Sequence, residues 1–90
     1  MTLEEIEQRL LVLLDQCDDL GIPADRLLDM KDLTRHREPG IALENLCSEL
    51  DEYDIAVPPA LLAGLRELGT AMRIDEGYWT RLKTTDCRKG

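Results

Sequence analysis

A chain of 90 residues has room for one hydrophobic core and not for a second domain. Its hydrophobic content of 43%, supplied mainly by leucine and including no phenylalanine, excludes a disordered segment and favours helices over strands. The net charge of −8 argues against nucleic acid or an anionic membrane surface as a partner and favours a cationic one, although such acidity also serves solubility alone.

Three cysteines, Cys17, Cys47 and Cys87, are odd in number and widely spaced. This spacing fits reduced thiols in a cytosol better than a disulfide framework. The longest apolar run, residues 10–14, is far shorter than a membrane span, and no apolar leader opens the sequence. We therefore expect a cytoplasmic protein that has no membrane partner.

The first predicted helix opens on a capping box, in which Thr2 precedes Glu5 by three positions. Its apolar residues recur at steps of three and four and form one continuous stripe: Leu3, Ile6, Leu10, Leu13, Cys17 and Leu20. Gly21 supplies a stop, because glycine adopts the left-handed conformation without strain. Pro23 suits the first turn of a short second helix that ends near residues 33–36. Three of that helix's residues are predicted to face inward: Leu27, Leu28 and Met30.

Residues 38–40, Glu-Pro-Gly, separate the second helix from a third, whose apolar face consists of Leu43, Leu46, Cys47, Leu50 and Tyr53. Residues 55–59 form an extended connector, because a residue before proline is pushed out of the helical region. The fourth helix is lined by Leu61, Leu62, Leu65, Leu68 and Met72, and Gly69 near its end indicates either fraying or close packing.

A last short helix is predicted over residues 75–84, with Trp79 and Leu82 turned inward, and a disordered tail over about 84–90. No alternating apolar pattern of useful length is present, so no strand is expected. The sequence therefore predicts one all-α domain over residues 1–90, a small antiparallel bundle of four to five short helices.

Acidic residues are concentrated in the third helix and its C-terminal turn, since residues 38–54 contain six acids and no base. Two interpretations are open. The acids form a solvated face that pairs with Arg35 or Arg37, or they form a docking surface for a basic partner. On the second interpretation the partner-binding residues are Glu44, Glu49, Asp51, Glu52, Tyr53 and Asp54. Because Tyr53 lies on the apolar stripe, we expect its ring to pack in the core with its hydroxyl at the rim.

Residues suited to catalysis are few. His36 is the single histidine and Ser48 the single serine, so a histidine-based relay has no second imidazole and no nucleophile near it. The cysteines and His36 lack the spacing of metal ligands. Acyl carrier proteins are acidic helical bundles of similar length, but the serine that carries their prosthetic arm is absent at the start of the second helix. We predict a binding protein without catalytic residues, cofactor or metal.

The block Glu-Pro-Gly-Ile-Ala-Leu-Glu-Asn-Leu-Cys at residues 38–47 resembles the MafI family of bacterial immunity proteins. The similarity continues through Leu50, Glu52-Tyr53-Asp54-Ile55 and the later Leu65, Leu68-Gly69, Met72 and Trp79, so it extends over about residues 33–82. Outside that range, residues 1–32 match only in forming a leading helix.

The resemblance implies a role and not a particular target. Proteins of this family are encoded beside a secreted toxin of a polymorphic or contact-dependent growth inhibition system, and they neutralise its toxin domain in the cytoplasm of the producing cell. The partner would be the C-terminal domain of the cognate toxin. A nuclease is the leading toxin class, because a nuclease active site must be cationic to hold phosphates. The alternative is a small acidic helical adaptor or regulatory subunit unrelated to toxins.

Overall fold

The computed structural model describes residues 1–84, which form five α-helices and no β-strand. In chain order the helices are α1 (Leu3–Gln16), α2 (Ala24–Arg35), α3 (Pro39–Glu52), α4 (Pro59–Ala71) and α5 (Gly77–Thr80), and one 3-10 turn (Cys17–Asp19) follows α1. The predicted all-α fold is confirmed. Thr84 forms an isolated bridge with Val57, while the rest of the predicted tail, including Cys87, lies outside the described residues.

Helix α1 begins where its capping box predicts. The Glu5 amide donates to Thr2 Oγ1 (3.2 Å), and the Thr2 amide donates to Glu5 Oε1 (2.8 Å). This amide donation lowers the pKa of Glu5, because it favours the ionised carboxylate. At the other end, α1 stops at Gln16, earlier than predicted, and a 3-10 turn over Cys17–Asp19 leads to Gly21. Gly21 has a φ of 100°, the left-handed conformation expected there.

Helix α3 occupies the centre of the molecule and contacts each of the other four helices. Its residues Leu43, Leu46 and Leu50 are fully buried, and Cys47 is 1% exposed. The apolar faces of the other helices close around it, with Leu10 and Leu14 from α1 and a further set from the rest of the chain: Leu27, Met30, Val57, Leu61, Leu65, Leu68, Trp79 and Leu82.

Two leucines that we expected in the core are at the surface. Leu28 is 57% exposed, because neighbouring helix residues point about 100° apart and Leu27 already faces inward. Leu3, the first residue of α1, is 39% exposed, whereas Leu14 is fully buried although it lay outside the predicted stripe. Helix α1 contacts α2, α3 and α4, so its buried face is wider than one stripe.

The last helix is shorter than the predicted range of 75–84 and spans only Gly77–Thr80. Beyond the helix, the Lys83 carbonyl accepts a hydrogen bond from the Val57 amide (2.9 Å). Trp79 and Leu82 are nevertheless buried, as expected. A Cβ at Gly69 would lie 2.2 Å from Trp79 Cζ3, so this glycine serves close packing and not fraying.

We expect Gly69→Ala to lower the free energy of unfolding by about 1–3 kcal/mol, the usual cost of forcing extra volume into a packed core. Gly40→Ala is the matched control, because a Cβ there has no neighbour closer than 4.0 Å. It should raise stability by about 0.5–1 kcal/mol through helix propensity alone. Chemical denaturation followed by circular dichroism measures both. Equal effects of the two substitutions would contradict the assigned contact.

Three helices end in a left-handed residue that is not glycine. Arg37, Asp54 and Arg73 have φ of 66°, 57° and 60°. In each case the next amide reaches back to close the helix, and the bonds are Glu38 to Leu33 (2.9 Å), Ile55 to Leu50 (2.9 Å) and Ile74 to Gly69 (2.8 Å). Such Schellman endings normally use glycine, because a Cβ is strained in this conformation.

Arg73→Gly should therefore raise the free energy of unfolding by about 1 kcal/mol, after the greater freedom of glycine in the unfolded chain is subtracted. Asp54→Gly should gain less, because it also removes the Asp54–Lys83 ion pair. Urea denaturation of the two variants beside the parent measures the difference. A loss of stability in Arg73→Gly would show that its left-handed backbone is not strained.

Candidate partner-binding surface

The six residues predicted for docking, here called the acidic surface, are Glu44, Glu49, Asp51, Glu52, Tyr53 and Asp54. They lie along α3 and its C-terminal turn, away from the buried leucine face. Asp51, Glu52 and Asp54 are exposed and Glu44 is half-buried. Within residues 1–84 no cation lies within ion-pair distance of Asp51 or Glu52. Glu44 likewise has no cation within ion-pair distance among the described residues, so the exposed Asp51 and Glu52 and the half-buried Glu44 carry the uncompensated charge of the surface.

Tyr53 is 45% exposed, so the expectation that its ring packs in the core is wrong. The residue is the C-cap of α3, and the backbone reverses at Asp54 immediately after it. Ile55 instead packs against the core, held by the bond from its amide to the Leu50 carbonyl. The aromatic ring of Tyr53 is thereby left at the surface, in the residue that directly follows the exposed Asp51 and Glu52 in the chain.

Glu49 differs from the other acids because it faces α2. Its carboxylate is 14% exposed and pairs with Arg26 at 3.2 Å, and its second oxygen is buried without a hydrogen-bond partner among the described residues. Arg35 and Arg37, the partners considered from the sequence, pair with Asp32 and Glu7 instead. Arg26 thus compensates one of the six residues of the acidic surface.

Asp54 is also paired, through Oδ1 to Lys83 Nζ at 2.6 Å. Both side chains are well exposed, so solvent screens this pair and its stabilising effect is small. The neighbouring hydrogen bond from the Val57 amide to the Lys83 carbonyl holds the two segments together. A competing cation could therefore separate Asp54 from Lys83 at little cost.

A cleft of about 190 Å³ borders the acidic surface on its α5 side. Its walls combine residues of both helices: Cys47, Ser48, Asp51, Glu52, Tyr78 and Arg81. Arg81 donates through Nε to the Gly77 carbonyl (2.8 Å), which fixes the guanidinium at the cleft. Tyr78 and Arg81 were not predicted as part of this site, because they are distant in the chain and no local pattern connects them to α3.

The described nucleophiles are poorly suited to chemistry. Burial raises the pKa of the Cys17 thiol to about 11 and that of the Cys47 thiol to about 12. Both side chains therefore stay protonated at neutral pH, and a thiol is a weak nucleophile compared with a thiolate. His36 lies at the end of α2, where its Nδ1 is 2.7 Å from the Asp32 carbonyl oxygen. It has no nucleophile as its partner.

Within residues 1–84 no three His, Cys, Asp or Glu side chains converge on a point that would suit a metal ion. In the same part of the chain, no helix combines the length and apolar character needed to cross a bilayer. Comparison of the whole chain with models of protein families, with characterised proteins and with solved structures gives no significant match. The described arrangement is suited to binding through charge and an exposed aromatic.

We expect Cys17 and Cys47 to be unreactive towards Ellman's reagent in the folded protein, because both thiols are buried and their pKa values are raised. A Cys87→Ser background restricts the measurement to these two. Absorbance should report no thiol at mildly alkaline pH and two thiols once guanidinium chloride unfolds the chain. Rapid reaction of either cysteine in the folded state would contradict the assigned burial.

Proposed function

We propose that this chain is an immunity protein of the MafI type, which binds and neutralises the toxin domain of a secreted bacterial effector in the cytoplasm of the producing cell. The observation that carries the proposal is the exposure of three consecutive residues at the end of α3, the acids Asp51 and Glu52 and the aromatic Tyr53. The sequence resemblance around residues 38–55 supports the same role. The leading toxin class is a nuclease.

Electrostatic attraction is the first step of the proposed binding. A nuclease needs cationic side chains to hold phosphates, so its active site is complementary to the carboxylates of the acidic surface. Charge complementarity of this kind accelerates association and selects against acidic partners. The net charge of −8 adds a longer-range attraction that salt weakens.

The acidic side chains are also held on a rigid helix before the toxin binds. Asp51 and Glu52 belong to a helix whose opposite face, Leu46 and Leu50, is fully buried, so little conformational freedom remains to be lost on binding. Tyrosine is frequent at binding hot spots, because it adds a large apolar surface and a hydroxyl for hydrogen bonding. The 45% exposure of Tyr53 makes it the aromatic anchor of the proposed contact.

The residues of the acidic surface are expected to contribute unequally to toxin binding. Asp51, Glu52 and Tyr53 are exposed and carry most of the proposed contact. Glu49 contributes less, since Arg26 already neutralises it and α2 covers it. Asp54 can contact the toxin only after its ion pair with Lys83 is broken.

Charge reversal tests the docking surface. The double variant Asp51→Lys/Glu52→Lys should associate with the toxin domain about tenfold more slowly or worse, because steering is lost and like charges meet. The matched control is Asp18→Lys/Asp19→Lys, which reverses two neighbouring exposed acids outside the acidic surface and changes the net charge equally. Surface plasmon resonance at several salt concentrations measures the rates. Equal slowing by both variants would show that only net charge matters.

The gene neighbourhood supplies the toxin for that measurement and tests the role itself. An adjacent gene for a long secreted effector is expected, and its C-terminal domain is the ligand to express. Co-expression should protect cells from that domain. A neighbourhood of metabolic enzymes, with no toxicity to relieve, would favour an adaptor unrelated to toxins.

A further inference from the structure

A groove of about 260 Å³ runs between α1 and α4, apart from the acidic surface. It is lined by Arg9, Val12, Leu13, Gly64, Glu67 and Leu68. Leu13 and Leu68 form an apolar floor, being 9% and 0% exposed. Val12 stands at the edge with 55% of its surface exposed, which is a large fraction for an aliphatic residue with no polar group.

Small residues occupy one face of α4, and one of them, Gly64, brings α4 close to α1. Gly64 lies against Leu13, and a Cβ there would come within 2.9 Å of Leu13 Cδ2. Ala60 and Ala71, both exposed, are spaced four before and seven after Gly64, which puts all three on one face of α4. An approaching helix therefore meets small side chains at Ala60 and Ala71, on either side of Glu67.

The charges at the groove are balanced, unlike those of the whole molecule. Arg9 and Glu67 face each other across it as an ion pair, with side chains 54% and 57% exposed. The acidic surface differs, since Asp51 and Glu52 are exposed there with no cation within ion-pair distance among residues 1–84. A cationic toxin gains no attraction at this neutral groove. A second chain with a net charge of −8 avoids close repulsion here.

We infer that the α1–α4 groove is a homodimer interface, in which Val12 of each copy enters the groove of the other and Arg9 of each copy meets Glu67 of its partner. A two-fold interface must be complementary to itself, because the same patch is present on both sides. The groove meets that requirement in shape, through Val12 beside its own recess, and in charge, through one cation and one anion.

The contact is small and does not depend on the proposed function. Helices α1 and α4 have 14 and 13 residues, so each is about 20 Å long. A face of two such helices is at the low end of specific interfaces, and a concentration-dependent dimer is expected. None of the six residues of the acidic surface lines the groove, so both copies keep that surface available.

Sedimentation of the full chain over a range of concentrations tests the dimer. The parent should change from monomer to dimer mass, and Val12→Glu should raise the dissociation constant about tenfold or more, since it places a charge in an apolar recess. Leu28→Glu is the matched control, because Leu28 is 57% exposed on α2, outside the groove. A parent that is monomeric throughout, or equal effects of the two variants, would overturn the inference.

Exchange of charges gives a second test that does not depend on the apolar contact. R9E alone and E67R alone should each dimerise more weakly than the parent, because like charges then meet across the two-fold axis. A mixture of the two variants restores opposite charges at both contacts and should form the mixed dimer preferentially. Pairing of Arg9 with Glu67 inside one chain cannot produce that result. A mixture that dimerises no better than its components would refute this arrangement.

Discussion

The burial of one face of α3 is the interaction on which the rest of the structure depends. Leu43, Leu46 and Leu50 are fully buried where the other four helices converge. Burying a leucine side chain contributes on the order of 2 kcal/mol, whereas repulsion between neighbouring acids on a helix costs a few tenths. The apolar face therefore stabilises a helix whose outer face is rich in like charges. Removing that face would disperse both the core and the acidic surface.

Much of the fold follows from local signals in the sequence. Steps of three and four between leucines predict the helices, and Thr2 and Glu5 predict where α1 begins. Gly21 predicts a left-handed turn correctly, but α1 itself ends five residues before it, at Gln16. Local signals failed where the chain uses residues against their usual preference. Arg37, Asp54 and Arg73 end their helices in a conformation typical of glycine, and periodicity cannot identify such positions. The prediction that the Tyr53 ring packs in the core was wrong for the same reason, because α3 ends at Tyr53 and the left-handed turn at Asp54 follows.

The candidate site was predictable in outline, because a run of acids without bases is visible in the sequence. Its pairing was not, because it depends on residues that only the tertiary structure brings together. Arg26 and Lys83 lie 23 and 29 positions from their partners, Glu49 and Asp54. Tyr78 and Arg81, which line the neighbouring cleft, are similarly distant in the chain from the α3 residues they face. Among residues 1–84 the structure thus narrows an acidic run to two exposed carboxylates without an ion-pair partner, Asp51 and Glu52, together with the half-buried Glu44 and the exposed ring of Tyr53.

Because Trp79 of α5 packs against Gly69, the docking of this smallest helix can be followed by tryptophan fluorescence. A helix of four residues has too few hydrogen bonds to persist alone, so α5 exists only while it is docked on its neighbours. Trp79 is the one tryptophan of the chain, and its indole leaves the protein interior when α5 detaches. Its emission wavelength is therefore an intrinsic optical probe of this last piece of the fold, separate from the far-ultraviolet signal that the four longer helices dominate.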